Sequence, residues 1–158
     1  MADSGASSMI MFVTALLIAS LSSSLLLATW NNSLQAQEAM VRMLEADAET
    51  DAVLINDLGA VQYNAGVVDL YIQNTGSRPL EDQDVSFNIG GDIDITDRRT
   101  WLGGGASPTW TNGRIAHFEV STASHSSGDE VPITIVLSSP TIDGIAGTVV
   151  ITHTIRLE

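Results

Sequence analysis

The chain changes its hydrophobic rhythm once, near Asp51. From Met9 to Ala28 apolar side chains dominate, and no charge occurs between Asp3 and Glu38. About 20 apolar residues cross a hydrocarbon core of ~30 Å, so this stretch, free of Pro and Gly and followed by an interfacial Trp30, reads as a membrane-crossing helix. Helical spacing continues beyond it. Leu27, Trp30, Leu34, Val41, Leu44 and Ala48 fall on a and d positions of a heptad, with Gln37 as the polar interruption. Glu38, Arg42, Glu45, Asp47 and Glu49 lie elsewhere on the helix. One helix from about Ser4 to Thr50 would be roughly 70 Å long, about half of it a stalk outside the hydrocarbon. Its stripe needs cover, either from a partner helix or from the chain's own C-terminal domain.

Ser20, Ser22, Ser23 and Ser24 interrupt the apolar run near its centre. Ala15, Ala19 and Ser23 recur at a spacing of four, and Ser20, Ser24 and Ala28 form a parallel row on the same side. Small residues let helices approach closely in lipid, so these rows are candidates for helix packing. The plainer alternative is that each hydroxyl bonds a carbonyl of its own helix. A cleaved export signal fits poorly: the segment before the apolar run holds an acid and no base, and Leu26-Leu27-Ala28 puts a bulky residue where small-x-small is wanted. The expectation is an uncleaved anchor. Arg42 alone bears on its orientation.

After Asp51 the period becomes 2, which divides the chain into 1–50 and 51–158. Val68, Leu70 and Ile72 alternate with Asp69, Tyr71 and Gln73; Val85, Phe87 and Ile89, then Ala116, Phe118 and Val120, repeat the pattern. Val131, Ile133, Ile135 and Leu137 form another apolar face, followed by Val149, Ile151, Ile155 and Leu157. Asn64-Ala65-Gly66, Asn74-Thr75-Gly76-Ser77, Gly90-Gly91, Asn112-Gly113, Ser127-Gly128-Asp129 and Asp143-Gly144 are turn signals between them. About seven short strands at this spacing predict an all-β antiparallel sandwich, immunoglobulin-like in plan, behind the long helix.

Composition narrows the chemistry. There is no Cys, and the 6 basic residues, all Arg, face 19 acidic ones for a net charge of −13. Nucleic acid needs clustered Lys or Arg and is excluded as a partner. A Lys-free acidic surface suits a salt-loving organism, where charge repulsion is screened. No G-x-S-x-G, P-loop or G-x-G-x-x-G occurs, and Gly103-Gly104-Gly105 lacks the Lys that would make it a phosphate cradle, so neither enzyme nor cofactor is expected. His117 shares a strand face with Glu119, and His153 falls in the inward phase between Ile151 and Ile155, which predicts a core or strand-end histidine. Asp92, Asp94 and Asp97 form a weak calcium candidate that lacks the bidentate Glu and Gly placement of an EF-hand. The sequon Asn31-Asn32-Ser33 follows the span too closely for a glycan.

The opening "MADSGASSMIMFVTALLIAS" and the segment "VVDLYIQNTGSRPL", Val67 to Leu80, together resemble the archaellum stator proteins of the FlaG/FlaF family, closer to FlaG, with an archaellin-like sandwich. "WTNG", Trp110 to Gly113, resembles a W-x-P-G turn of such domains with Asn112 in place of Pro. The motif Asn74-Thr75-Gly76 also has a local reading, with Asn74 capping amides and Gly76 free to take a positive φ. The resemblance implies a single-pass membrane protein with its β-domain outside the cytoplasm. It would link the archaellum motor to the envelope, with copies of itself, a sister stator protein and the surface-layer protein as partners. Two alternatives stay open: an archaellin- or pilin-like filament subunit of the same plan, and a membrane-tethered ligand-binding domain. On either assembly reading the helix contacts are expected at Ala15, Ala19, Ser20, Ser23, Ser24, Leu27, Trp30, Leu34, Val41 and Leu44.

Overall fold

A computed structural model describes residues 3–94, 98–102, 109–122 and 125–158. Helix α1 runs from Asp3–Glu49, 47 residues without a break, as expected of a segment rich in Leu, Ala and Met and lacking Pro. The chain divides into two compact units, Met1–Val41 and Arg42–Glu158, so the last turns of α1 belong with the β-domain.

Nine strands follow among the described residues: β1 Ala52–Leu54, β2 Tyr63–Asn64, β3 Val67–Asn74, β4 Ser86–Ile89, β5 Asp92–Asp94, β6 Arg98–Leu102, β7 Ile115–Ser121, β8 Glu130–Ser138 and β9 Thr148–Arg156. They form two antiparallel sheets, one ordered β1-β3-β7-β6 with β2 also on β3, the other β5-β4-β8-β9. The predicted sandwich is therefore present.

Its core follows from the period of 2. Val68, Leu70 and Ile72 of β3, Ala116, Phe118 and Val120 of β7, and Val131, Ile133, Ile135 and Leu137 of β8 are all buried. Phe118 meets Phe87 from the other sheet at 5.2 Å between ring centroids and Trp110 at 5.6 Å, both tilted. The tight hairpins need backbone that L side chains resist: Ala65 and Gly66 have φ of 51° and 90° between β2 and β3, and Gly90 and Gly91 have 61° and 101° between β4 and β5.

One inward position breaks the pattern. His153 is exposed, against the expectation of a core or strand-end residue, although Ile151 and Ile155 flanking it in phase are buried. Strand β9 is an edge of its sheet, and its middle, residues 152–154, is exposed.

Along β3 the edge pairing has a gap between β1, which covers Ile72 to Asn74, and β2, which covers Val67 and Val68. Asn56 fills it. Its Nδ2 donates to the Asp69 carbonyl at 2.8 Å and its Oδ1 accepts from the Tyr71 amide at 2.7 Å, so the side chain completes the pairing that the Ile55 amide and the Gln62 carbonyl make with Tyr71 and Asp69.

Phe118→Ala is expected to destabilise the β-domain by about 3–5 kcal/mol, since it opens a cavity at the inter-sheet contact. Urea denaturation of the full chain in detergent, followed by Trp fluorescence, measures it.

Candidate assembly surface

Two features carry functional potential: the apolar surface of α1, and the seat that holds its C-terminal end. Leu27, Trp30 and Val41 are 65%, 67% and 61% exposed in the single chain, and Leu34 and Leu44 are exposed with them. By length and composition the helix suffices to cross a membrane. Exposed among the described residues, this stripe is a candidate association surface.

The serines are settled locally. Ser20 Oγ donates to the Leu17 carbonyl at 2.9 Å, Ser22 to Ile18 at 2.8 Å, Ser23 to Ala19 at 2.9 Å and Ser24 to Ser20 at 2.9 Å. Thr14 and Thr29 do the same to Ile10 and Leu25, each at 2.8 Å. The hydroxyls thus follow the plainer alternative, while the rows of Ala15, Ala19 and Ser23 and of Ser20 and Ser24 still offer a narrow surface for a close helix neighbour.

The seat was not legible in advance. The last turn of α1 holds Asp47 and Glu49 and no base, the wrong charge for the negative end of a helix dipole. The β-domain supplies what the helix lacks. After β3 the chain turns under the helix end, and the Arg78 amide donates to the Glu49 carbonyl at 3.1 Å while its Nε reaches the Glu49 carboxylate at 2.8 Å. The Thr75 and Gly76 amides both donate to the Asp51 carbonyl, at 3.0 and 2.9 Å, and Thr75 Oγ1 donates to Asp51 Oδ2 at 2.8 Å. From the other sheet, the Thr148 amide donates to Asp47 Oδ1 at 2.8 Å. Thr50, buried, closes the turn with its Oγ1 on the Ala46 carbonyl at 2.7 Å.

Two glycines permit this approach. A methyl group on Gly76 would overlap the Asp51 amide and the Glu49 carbonyl, and one on Gly147 would overlap the Ala46 carbonyl and Thr50 Oγ1. Gly76 is thus required for space, and not for the positive φ anticipated, which it does not adopt. Asn74 also differs from expectation. Fully buried, it donates through Nδ2 to the carbonyls of Arg78 and Trp110, at 2.9 and 2.7 Å, instead of accepting from amides. Asn112 of the "WTNG" turn donates to the Gly76 and Thr75 carbonyls at 2.7 and 3.1 Å. Both family-like motifs therefore converge on one hub under the helix. Of the residues missed, only the acidic, base-free last turn gave a signal.

On the outer face of the β1-β3-β7-β6 sheet, Asp69, Tyr71, His117 and Glu119 come together, as the shared phase of His117 and Glu119 suggested. Asp92 and Asp94 lie on β5, whereas Asp97 and Gly103-Gly104-Gly105 fall outside the described residues.

A family model described as archaeal-type flagellin matches residues 2–150. No curated protein matches the chain.

Gly76→Ala and Gly147→Ala are each expected to destabilise the β-domain by about 1–3 kcal/mol, because backbone at these contacts cannot yield as a flexible side chain would. Gly5→Ala, with open space around it, should leave the urea midpoint unchanged.

Proposed function

This chain belongs to the archaeal-type flagellin family, and we propose that it is a filament-type subunit whose N-terminal helices pack with those of neighbouring copies in a fibre core. The family is one of structural filament proteins, so the chain is a component of archaeal motility machinery and its work is mechanical. The observation that carries the subunit reading is the extent of the match: residues 2–150 take in both the apolar helix and nearly all of the sandwich. The exposed Leu27, Trp30, Leu34, Val41 and Leu44 stripe supplies the surface for it. Copies of itself are the principal partner. The bilayer holds the helix before assembly, and the finished fibre lies outside the cell.

This reading takes precedence over the membrane-anchored stator suggested by the stretch from Val67 to Leu80. Asn74-Thr75-Gly76, the most specific part of that likeness, builds the helix seat and would serve a stator and a subunit equally. The sister stator protein and surface-layer contacts belong to the stator role alone.

Electron cryo-microscopy of the full chain, in membranes and after release from them, tests the proposal. Fibres with α1 at their core are expected; material that stays as single-pass particles and never forms fibres would return the stator to first place.

Val41→Asp is expected to abolish or shorten the fibres while leaving the sandwich's thermal transition in place, since a charge forced into an apolar seam costs on the order of several kcal/mol. Unchanged crosslinking between copies of this variant would remove the stripe from the interface.

A further inference from the structure

The outer face of the β1-β3-β7-β6 sheet holds a cluster apart from the helix stripe on which the assembly proposal rests. Register places Asp69 directly opposite Glu119 and Tyr71 opposite His117. Like charges facing each other across an antiparallel pair repel, and a cation held between them would relieve that repulsion. His117 Nε2 lies 2.8 Å from Asp69 Oδ1, with the two side chains only 15% and 18% exposed. The donor atoms of Asp69, His117 and Glu119 all lie within 4.8 Å of one another.

These groups are held in place. The Tyr71 ring stacks on the imidazole at 4.5 Å between centroids and 10° between planes, which fixes the orientation of the ring. Asn56 grips the backbone of β3 at Asp69 and Tyr71. Orientation of ligands by surrounding contacts of this kind is what metal sites depend on.

We propose that Asp69, His117 and Glu119 bind one first-row divalent cation of the zinc class. An imidazole nitrogen with two carboxylate oxygens suits such ions, whereas calcium and magnesium prefer all-oxygen shells. Three protein ligands leave a fourth position for solvent. The ion would replace the His117–Asp69 hydrogen bond and join β3 to β7 across the sheet face.

Titration calorimetry of the full chain in detergent with zinc chloride tests this, with thermal melting as a check on folding. One equivalent is expected to bind, and Asp69→Asn and Glu119→Gln should each weaken it at least about tenfold, the loss that even outer-shell changes bring. His153→Gln, on β9 of the other sheet, should bind as the unaltered chain does. Cobalt substitution gives a reading that needs no variant: the ring-proton NMR signals of His117 should show paramagnetic shifts. No saturable uptake, affinity unchanged in both carboxylate variants, or shifts at His125 or His153 in place of His117 would overturn the proposal and leave a plain His117–Asp69 hydrogen bond.

Discussion

The β-domain is organised around the need to finish a helix that cannot finish itself. Helix α1 ends in Asp47 and Glu49 with no base in its last turn, so its carbonyls and charges require donors from elsewhere. Those donors come from both sheets, through Arg78, Thr75 and Gly76 after β3 and through Thr148 at the start of β9. The ion pair of Arg78 with Glu49 is partly exposed and contributes little alone. Amide-to-carbonyl bonds around backbone packed too closely for any Cβ do most of the holding. Because the seat spans the sandwich, the helix end also ties one sheet to the other.

How much of this could be read from the sequence depends on range. The long helix and β3, β4, β7, β8 and β9 follow from local periodicity, since burial on one face leaves a period of 2 or near 3.6 in the residues themselves. Strands β1 and β2, of three and two residues, are too short to show a period, and they exist because β3 offers an edge to pair with. The seat was illegible for the same reason. Gly76 matters through Glu49 and Asp51, and Asn74 through Trp110, residues far apart in the chain. Asp69 and His117 likewise meet only when β3 and β7 pair. His153 shows the converse error, in which period was right and the cover it implied was absent.

Family membership and physical surface point the same way, but with opposing charge. Each copy carries a net charge of −13, so copies brought side by side repel unless salt shortens the reach of their fields, from ~10 Å at 0.1 M to ~3 Å at 1 M. The apolar helix carries no charge from Ser4 to Gln37 and is free of that penalty. Attraction and repulsion therefore reside on different parts of the chain, which favours association through the helices over adhesion of the sandwiches.

The back-bonded serines bear on how such a molecule changes surroundings. Each hydroxyl carries its acceptor with it, one turn away along the same rod. Passage from a fluid lipid environment into a bundle of sister rods, or back again, therefore requires no hydrogen bond of these hydroxyls to be broken or made. On the proposed filament reading, growth and disassembly would then differ mainly in which greasy neighbours surround the rod, and a lattice of such units should be able to exchange members with a bilayer.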